Sequence, residues 1–424
     1  MKKKILIIAN MPIKNKSAGP SIRMISISKI LNKKYKCKLY SKEIDEDQFK
    51  KYNFLSKNFW KDFIKADIIY SQPSRFRYLF LSKLFRKKII IDLYDPTDIE
   101  NLEMYKDTNK IKWVLIQKYA NLRLKYSIKI GHYFVCATET QRKYWIGYFQ
   151  SLGKIKQNTY NKNQKLENLI GLLPFGLNIE KPTSTDNPIL KLHKNIQKED
   201  KVFLWAGGIW NWFDSINLIK AMSELKGKKN IKLLFLGSPK ENQRGNEKLK
   251  NAFKTIDLAK KLGVYNHNVF FNEDWIDYDQ RHNFLLNSYA GISLHYDNLE
   301  TEFSYRTRIL DYLWCDIPYI CSDKDYFADL CKGKKLGMVV ECENIDSIKN
   351  AIIDLSERKE LYNLSKNNII QARKEFGWEN CCKDLNNYIE NIDKNLIENN
   401  NFIESTIFLI LVPLKLIIKI FKRN

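Results

Sequence analysis

The sequence predicts an α/β protein of two units, each a parallel sheet alternating with helices. Three observations predict it. Short apolar runs end in polar loops and give way to helical periodicity, and the alternation occurs as two successive series. A polar, Pro-bearing stretch, residues 181–200, separates the series. The length of 424 residues suits two α/β domains, and 44% hydrophobic residues supply their cores.

In the first series, Ile5–Ala9 reads as a buried strand, followed by a loop rich in Lys, Ser, Gly and Pro. A helix runs from about Ser21 to Leu31, and Cys37–Tyr40 reads as the second strand. Ala66–Tyr70 is a strand ending in SQPSRFR, and Lys88–Asp92 one ending in DLYDPTD. Residues 110–130 form a long helix, His132–Cys136 a strand, and ATETQRKYWIGYFQ a helix. Leu169–Leu172 leads into PFGLNIE.

The second series restarts with Lys201–Trp205, then GGIWNWFD and a helix near Ser215–Ser223. Strands follow at Ile231–Leu236 and Val269–Phe271, with a helical segment Glu247–Leu262 between them. Asn287–Asp323 reads as strand, acidic loop, helix and strand. Gly337–Glu341 is the last strand, and helices over 345–354 and Glu357–Phe376 close the series. We place the units at 1–190 and 191–380, a closing helix at 381–395, and a linker with its tail at 396–424.

The tail is distinct. Ile407–Asn424, IFLILVPLKLIIKIFKRN, is apolar but interrupted by Pro413 and Lys415. Its unbroken run is shorter than the roughly 20 residues a membrane span needs. With Lys419, Lys422 and Arg423 it reads as an interfacial or re-entrant anchor for an anionic leaflet. A helix docked on the protein is the other reading.

Composition narrows the function. Lys+Arg is 72 against Asp+Glu 48, a formal net charge of +24, which calls for an anionic neighbour. The lysines are diffuse and no nucleic-acid motif accompanies them, so nucleic acid is not expected as a partner. Eight cysteines without a CxxC pair, and five scattered histidines, argue against structural zinc and for a reducing compartment. The N-terminal run Ile5–Ala9 is too short for a signal peptide's apolar region.

The most informative stretch is Asn287–Asp323. After its acidic loop, Ile309, Leu310, Leu313 and Trp314 recur at helical spacing, with Ser304 placed to cap. Arg306 and Arg308 stand near the helix start, where the dipole favours anions rather than cations. A docked phosphate would explain them. An internal arginine–carboxylate clamp would also do so.

ETEFSYRTRILDYLWCDIPYICSD (Glu300–Asp323), AGGIWNWFD (Ala206–Asp214) and SAGPSIR (Ser17–Arg23) together resemble, in order and spacing, retaining glycosyltransferase family 4. The resemblance extends over residues 3 to about 390. It implies the GT-B fold, two Rossmann-like domains facing across a cleft, here with a C-terminal membrane-associating helix. It implies a nucleotide-diphosphate sugar as donor, bound mainly by the second half, and an acceptor bound by the first. By that resemblance Asp311 would hold the ribose. Glu300 would meet the sugar, although Glu302 competes for the role because neither gives the family's usual spacing.

The family's arginine and lysine after the donor glycine loop are missing from GGIWNWFDS. Arg306, as first choice, or Arg308 would hold the diphosphate in their place. Gly207 and Gly208 would let backbone approach the ligand. Asn211 follows them, and Trp212 or Trp210 would stack on base or sugar, or lie in the core. Gly237 would line the nucleotide site, and Trp275 lies where bases commonly rest in this fold. Asp214 would cap a helix, and Asp323 and Asp325 would be surface or capping residues. On the acceptor side, Gly19 would admit a ligand to backbone amides. Asp95 would meet hydroxyls or make a turn before Pro96. No metal or other cofactor is expected. The expected acceptor is a lipid-linked or growing bacterial surface glycan, met at the cytoplasmic face of the membrane by a peripheral or monotopic protein. An inactive relative serving as a scaffold is the alternative.

Overall fold

The computed structural model describes residues 2–14, 19–73, 76–274 and 276–393. It divides into two units. The first takes the chain up to Asn101, then Thr108–Gly176 and the stretch from Trp378. The second takes Leu102–Asp107 and Leu177–Gly377.

The first unit is built on β1 (Lys4–Ile8), β2 (Lys36–Tyr40), β3 (Ile68–Ser71), β4 (Lys88–Asp92), β5 (Tyr133–Cys136) and β6 (Ile170–Leu172). They pair in parallel in the order β2-β1-β3-β4-β5-β6. The near-continuous Ile, Leu, Phe and Val of these strands reflect burial on both faces, as parallel sheets require. The chain reverses direction across the sheet between β1 and β3. There Asn10 donates to Gln72 at 2.8 Å beyond the strand ends.

One ion pair organises the same edge. Arg23, in the helix Gly19–Asn32, is fully buried and grips Asp92 at the end of β4, at 2.8 and 3.0 Å. Its remaining donors reach the carbonyls of Leu173 (2.7 Å) and Pro174 (3.1 Å) just beyond β6. Tyr94 lies 4.3 Å from the guanidinium.

The second unit contains β7 (Lys201–Gly208), β8 (Ile231–Gly237), β9 (Val269–Phe271), β10 (Ala290–Ser293), β11 (Tyr319–Ser322) and β12 (Gly337–Val340). Their order is β12-β11-β10-β7-β8-β9, all parallel. Its core joins Trp205, Phe213, Phe235 and Ile292 with the helices Ser215–Glu224 and Ile345–Glu357. Tyr312 fastens β7 to β10: its hydroxyl lies 2.9 Å from the carbonyls of Leu204 and Ile292 and accepts from the amide of Ala206. Gly291 makes room for that ring, because a Cβ there would fall within 2.5 Å of it.

The polar stretch 181–200 does not act as a linker. It lies within the second unit, where Asn283 accepts from the amide of Thr185 and Asn287 donates to the carbonyl of Asp186. Ile189 and Ile196 in it are buried. The segment after Trp378 returns to the first unit. Leu385, Tyr388 and Ile389 enter its core, Tyr388 stacks on Tyr133 at 3.7 Å, and Asp384 accepts from the amide of Leu172. Among the described residues no helix is long and apolar enough to cross a membrane. The tail Ile407–Asn424 lies outside the described residues.

Candidate functional site

Topology selects the place. In an open parallel sheet, ligands bind beyond the carboxyl ends of strands where the order reverses. In the second unit that point lies between β7 and β10. The loop after β7 carries Gly207 and Gly208, and the segment after β10 leads to Glu300, Arg306 and Arg308.

The glycine loop is shaped by its backbone. Gly207 has φ +110°, a region that side chains other than glycine's rarely enter. Gly237, ending β8, lies directly against it: a Cβ there would stand 2.8 Å from the Gly207 carbonyl carbon. Trp210 covers Gly208 and is 38% exposed, whereas Trp212 is buried in the core. Trp210 is therefore the tryptophan open to a ligand, not Trp212. Asn211 ties the loop down, donating to Glu247 O (2.9 Å) and accepting from the Asn251 amide. Asp214 is buried and caps the next helix through the Asn217 amide.

The acidic loop expected after β10 is instead a short helix, Leu299–Phe303, capped by Asn298. Ser304 ends that helix and does not begin the next, which runs Thr307–Trp314 with Arg306 at its N-cap position. The extra turn folds Glu300 back onto Arg306. Arg306 Nη1 donates to Glu300 Oε1 at 2.9 Å and Nη2 to Oε2 at 2.6 Å, with both residues buried. Arg306, the first choice for phosphate, is thus engaged in an internal clamp. Both oxygens of Glu300 are occupied by it, and Glu302 is exposed.

Arg308 differs. Its Nη2 donates to Gly208 O at 2.8 Å, and its guanidinium lies 4.0 Å from the Phe213 ring centroid and 4.6 Å from that of Trp205. Nη1 is buried without a hydrogen-bond partner, and among the described residues Arg308 forms no ion pair. Burial pulls its pKa down to about 10, and neighbouring Arg306 adds to the effect. This is an underneutralised cation touching the glycine loop.

Asp311, on the same helix, pairs with Arg281 at 2.9 Å, and both Arg281 contacts fall on Oδ1. Arg281 is itself held over Tyr278 (3.5 Å) and Trp314 (4.5 Å). Sequence reasoning missed Arg281, because nothing local distinguishes it from other helix-start arginines. It also missed the buried His295, and it read Asp325 as a surface or capping residue without seeing that it is buried. His295 bonds the Asp323 carbonyl at 3.0 Å, and burial, helped by Arg306, pulls it down to about 3. Asp325 caps the helix Tyr326–Lys334, and burial pushes its carboxyl up to about 7 against the opposing pull of Arg306.

In the first unit, Gly19 opens the helix Gly19–Asn32 with open space beside its Cα. Asp95 is partly exposed, and its carbonyl accepts from Thr97 in the turn through Pro96. Trp275 lies outside the described residues.

Residues 188–374 match the family model of glycosyl transferases group 1. HepE from Anabaena, solved with UDP and glucose, superposes with a TM-score of 0.66 at 12% identity, covering 92% of this chain and 99% of its own. Sucrose-phosphate synthase from Thermosynechococcus elongatus gives 0.66 at 11% identity, with 93% and 100% covered. WaaG, a glycosyltransferase involved in lipopolysaccharide biosynthesis, gives 0.60 at 11%, with 89% and 99% covered. By sequence, none of the curated proteins matches. Two six-stranded parallel Rossmann-like sheets, with the group 1 domain across residues 188–374, make this chain a glycosyltransferase of the GT-B fold.

Proposed function

We propose that the protein moves a sugar from a nucleotide-diphosphate sugar, with UDP the first nucleotide to test, to a lipid-linked or growing bacterial surface glycan. Arg308 carries the reading. Among the described residues it is a cation without an ion pair, it touches the glycine loop after β7, and one of its donors has no partner. A diphosphate is the chemical class that such a fork binds in bidentate fashion. Structures of the same fold hold UDP and UDP-glucose, which supports a nucleotide sugar as donor.

In this reading Gly207, Gly208 and Gly237 admit the diphosphate to the backbone, and Arg308 offsets the charge that grows on the leaving phosphate. Asp311 holds the ribose through Oδ2. The acceptor hydroxyl forms its bond to the anomeric carbon as the bond to the phosphate oxygen breaks, and that oxygen takes the hydroxyl proton. Transfer with retention follows from the family resemblance. The glycan acceptor is supported by WaaG's role in lipopolysaccharide biosynthesis. The membrane location, at the cytoplasmic face, is supported by the apolar, cationic tail.

Calorimetry with a panel of nucleoside diphosphates and nucleotide sugars tests the donor site, comparing wild type with Arg308→Ala. One clear nucleotide preference is expected, weakened by about 10–100-fold in the variant, the range of one charge-assisted hydrogen-bond pair. Folded wild-type protein that binds none of the panel, or a variant that binds as tightly, removes the reading.

A further inference from the structure

The first unit exposes an apolar patch away from its strand-end loops. Trp60 and Ile64 lie four apart on the helix Phe59–Lys65, Leu84 ends the helix Phe76–Leu84, and Phe85 follows it. All four are half exposed or more. The buried Phe63 ring joins the two helices, meeting Trp60 at 6.1 Å and Phe85 at 5.6 Å. Single exposed apolar residues are ordinary, but a contiguous cluster of large ones marks a contact surface.

The patch is set in positive charge. Residues 57–88 carry nine Lys or Arg against two Asp. Lys61, Lys65 and Arg86 are exposed beside the apolar side chains. A cavity of about 350 Å³ adjoins them, lined by Phe85, by the four cations Arg86, Lys87, Lys88 and Lys3, and by the two carboxylates Asp67 and Asp393 among others. It lies at the edge where β3 and β4 begin, opposite the strand ends that lead to Asp92 and Asp95.

The chain's own course supplies the second observation. Asp393 is the last described residue and pairs with Lys88 at the wall of this cavity. The described chain therefore ends at this face, and residues 394–424, with their apolar and cationic Ile407–Asn424, follow it in sequence.

We propose that this face is a second membrane contact, in which Trp60, Ile64, Leu84 and Phe85 enter an anionic leaflet and the cationic cavity receives a phosphate-bearing head group. Charge alone would suit any polyanion, and apolar area alone any protein. The two combined on one face, beside Asp393 where the described chain ends, fit an anionic lipid surface. The inference rests on the membrane location proposed above and deepens it. It places the strand-end loops at least a strand's length from the leaflet, about 17 Å for five residues. An acceptor whose growing end reaches out from the membrane fits that distance.

The test uses the full chain and vesicles of phosphatidylcholine alone or with phosphatidylglycerol, at low and high salt. The tail's apolar attachment resists salt, whereas contacts to head groups are screened. Lys61→Glu/Lys65→Glu/Arg86→Glu is expected to weaken low-salt binding to the anionic vesicles at least about tenfold. Binding to neutral vesicles and nucleotide binding should not change. Brominated lipid should quench emission that is missing from Trp60→Phe. Equal binding by the triple variant, or no quenching assignable to Trp60, overturns the proposal, as does a patch covered by a second copy in sedimentation equilibrium. Loss of salt-resistant binding alone would count against the tail and leave the patch standing.

Discussion

Arg306 and Glu300 form a closed pair, with two hydrogen bonds of 2.9 and 2.6 Å between two buried side chains six residues apart. Arg308, two residues on, has no such partner among the described residues. The two arginines of one motif therefore do different work. The first holds the helix Leu299–Phe303 onto the helix Thr307–Trp314, and the second faces the glycine loop with charge to offer.

The clamp makes a stability prediction. Removing one partner of a buried ion pair strands the other charge and costs about 3–5 kcal/mol. Arg306→Ala should lose that much in urea unfolding, and Arg306→Met/Glu300→Leu should recover most of it. A single variant as stable as wild type would show that the pair does not hold this segment together.

Asp325 and His295 make the stability of the second unit depend on pH in opposite senses. Asp325 has a raised carboxyl, near 7, so its contribution is intact below about pH 4 and is lost as pH rises through 7. His295 is depressed to about 3, so its contribution is intact above about 6.5 and is lost as pH falls toward 3. Asp325→Asn keeps the cap and removes the charge. It should stabilise the protein at pH 8 by about 1–4 kcal/mol, with the gain gone by pH 4. Unfolding curves at pH 4, 6 and 8 check this, and an equal effect at every pH would refute it.

Gly237 meets the backbone of Gly207, which a bulkier residue must push away. Gly237→Ala should displace the glycine loop and weaken nucleotide binding by about tenfold or more, while the melting temperature falls by only a few degrees. Unchanged affinity would mean that the loop lies outside the donor site.

Asp311 keeps Oδ2 outside its pair with Arg281. If that oxygen holds the ribose, UDP should bind tighter than its 2′-deoxy analogue in wild type, and Asp311→Ala should abolish the preference. A preference that survives the substitution assigns ribose recognition to other groups.

The fold was largely legible because buried parallel strands announce themselves. Lys88–Asp92 and Val269–Phe271 occupy the expected residues, and the long helix Lys110–Ile130 does too. What was hidden depends on tertiary partners. LETEF is too short and acidic to read as a helix until Asn298 caps it and Arg306 takes Glu300. The polar stretch 181–200 looked like a linker because its partners, Asn283 and Asn287, lie about a hundred residues away. Within the candidate site, the glycines, Arg308 and Asp311 stand out in the sequence by type and position. Spacing alone could not tell which arginine would be neutralised, because that depends on a turn placing one carboxylate opposite one guanidinium.

The return of the segment after Trp378 to the first unit bears on how the protein is made. Cys382, Leu385, Tyr388, Ile389 and Ile392 complete a core whose other buried residues run from Ile5 to Leu173. At ribosomal speeds of about 5–20 residues per second, some 10–40 s separate the synthesis of the two parts. The first sheet must wait through that interval with the apolar bed of Tyr388 uncovered, while nearly all of the second unit is synthesised. The nascent chain thus has a defined window in which a chaperone can bind it, and the arrival of Tyr388 closes that window.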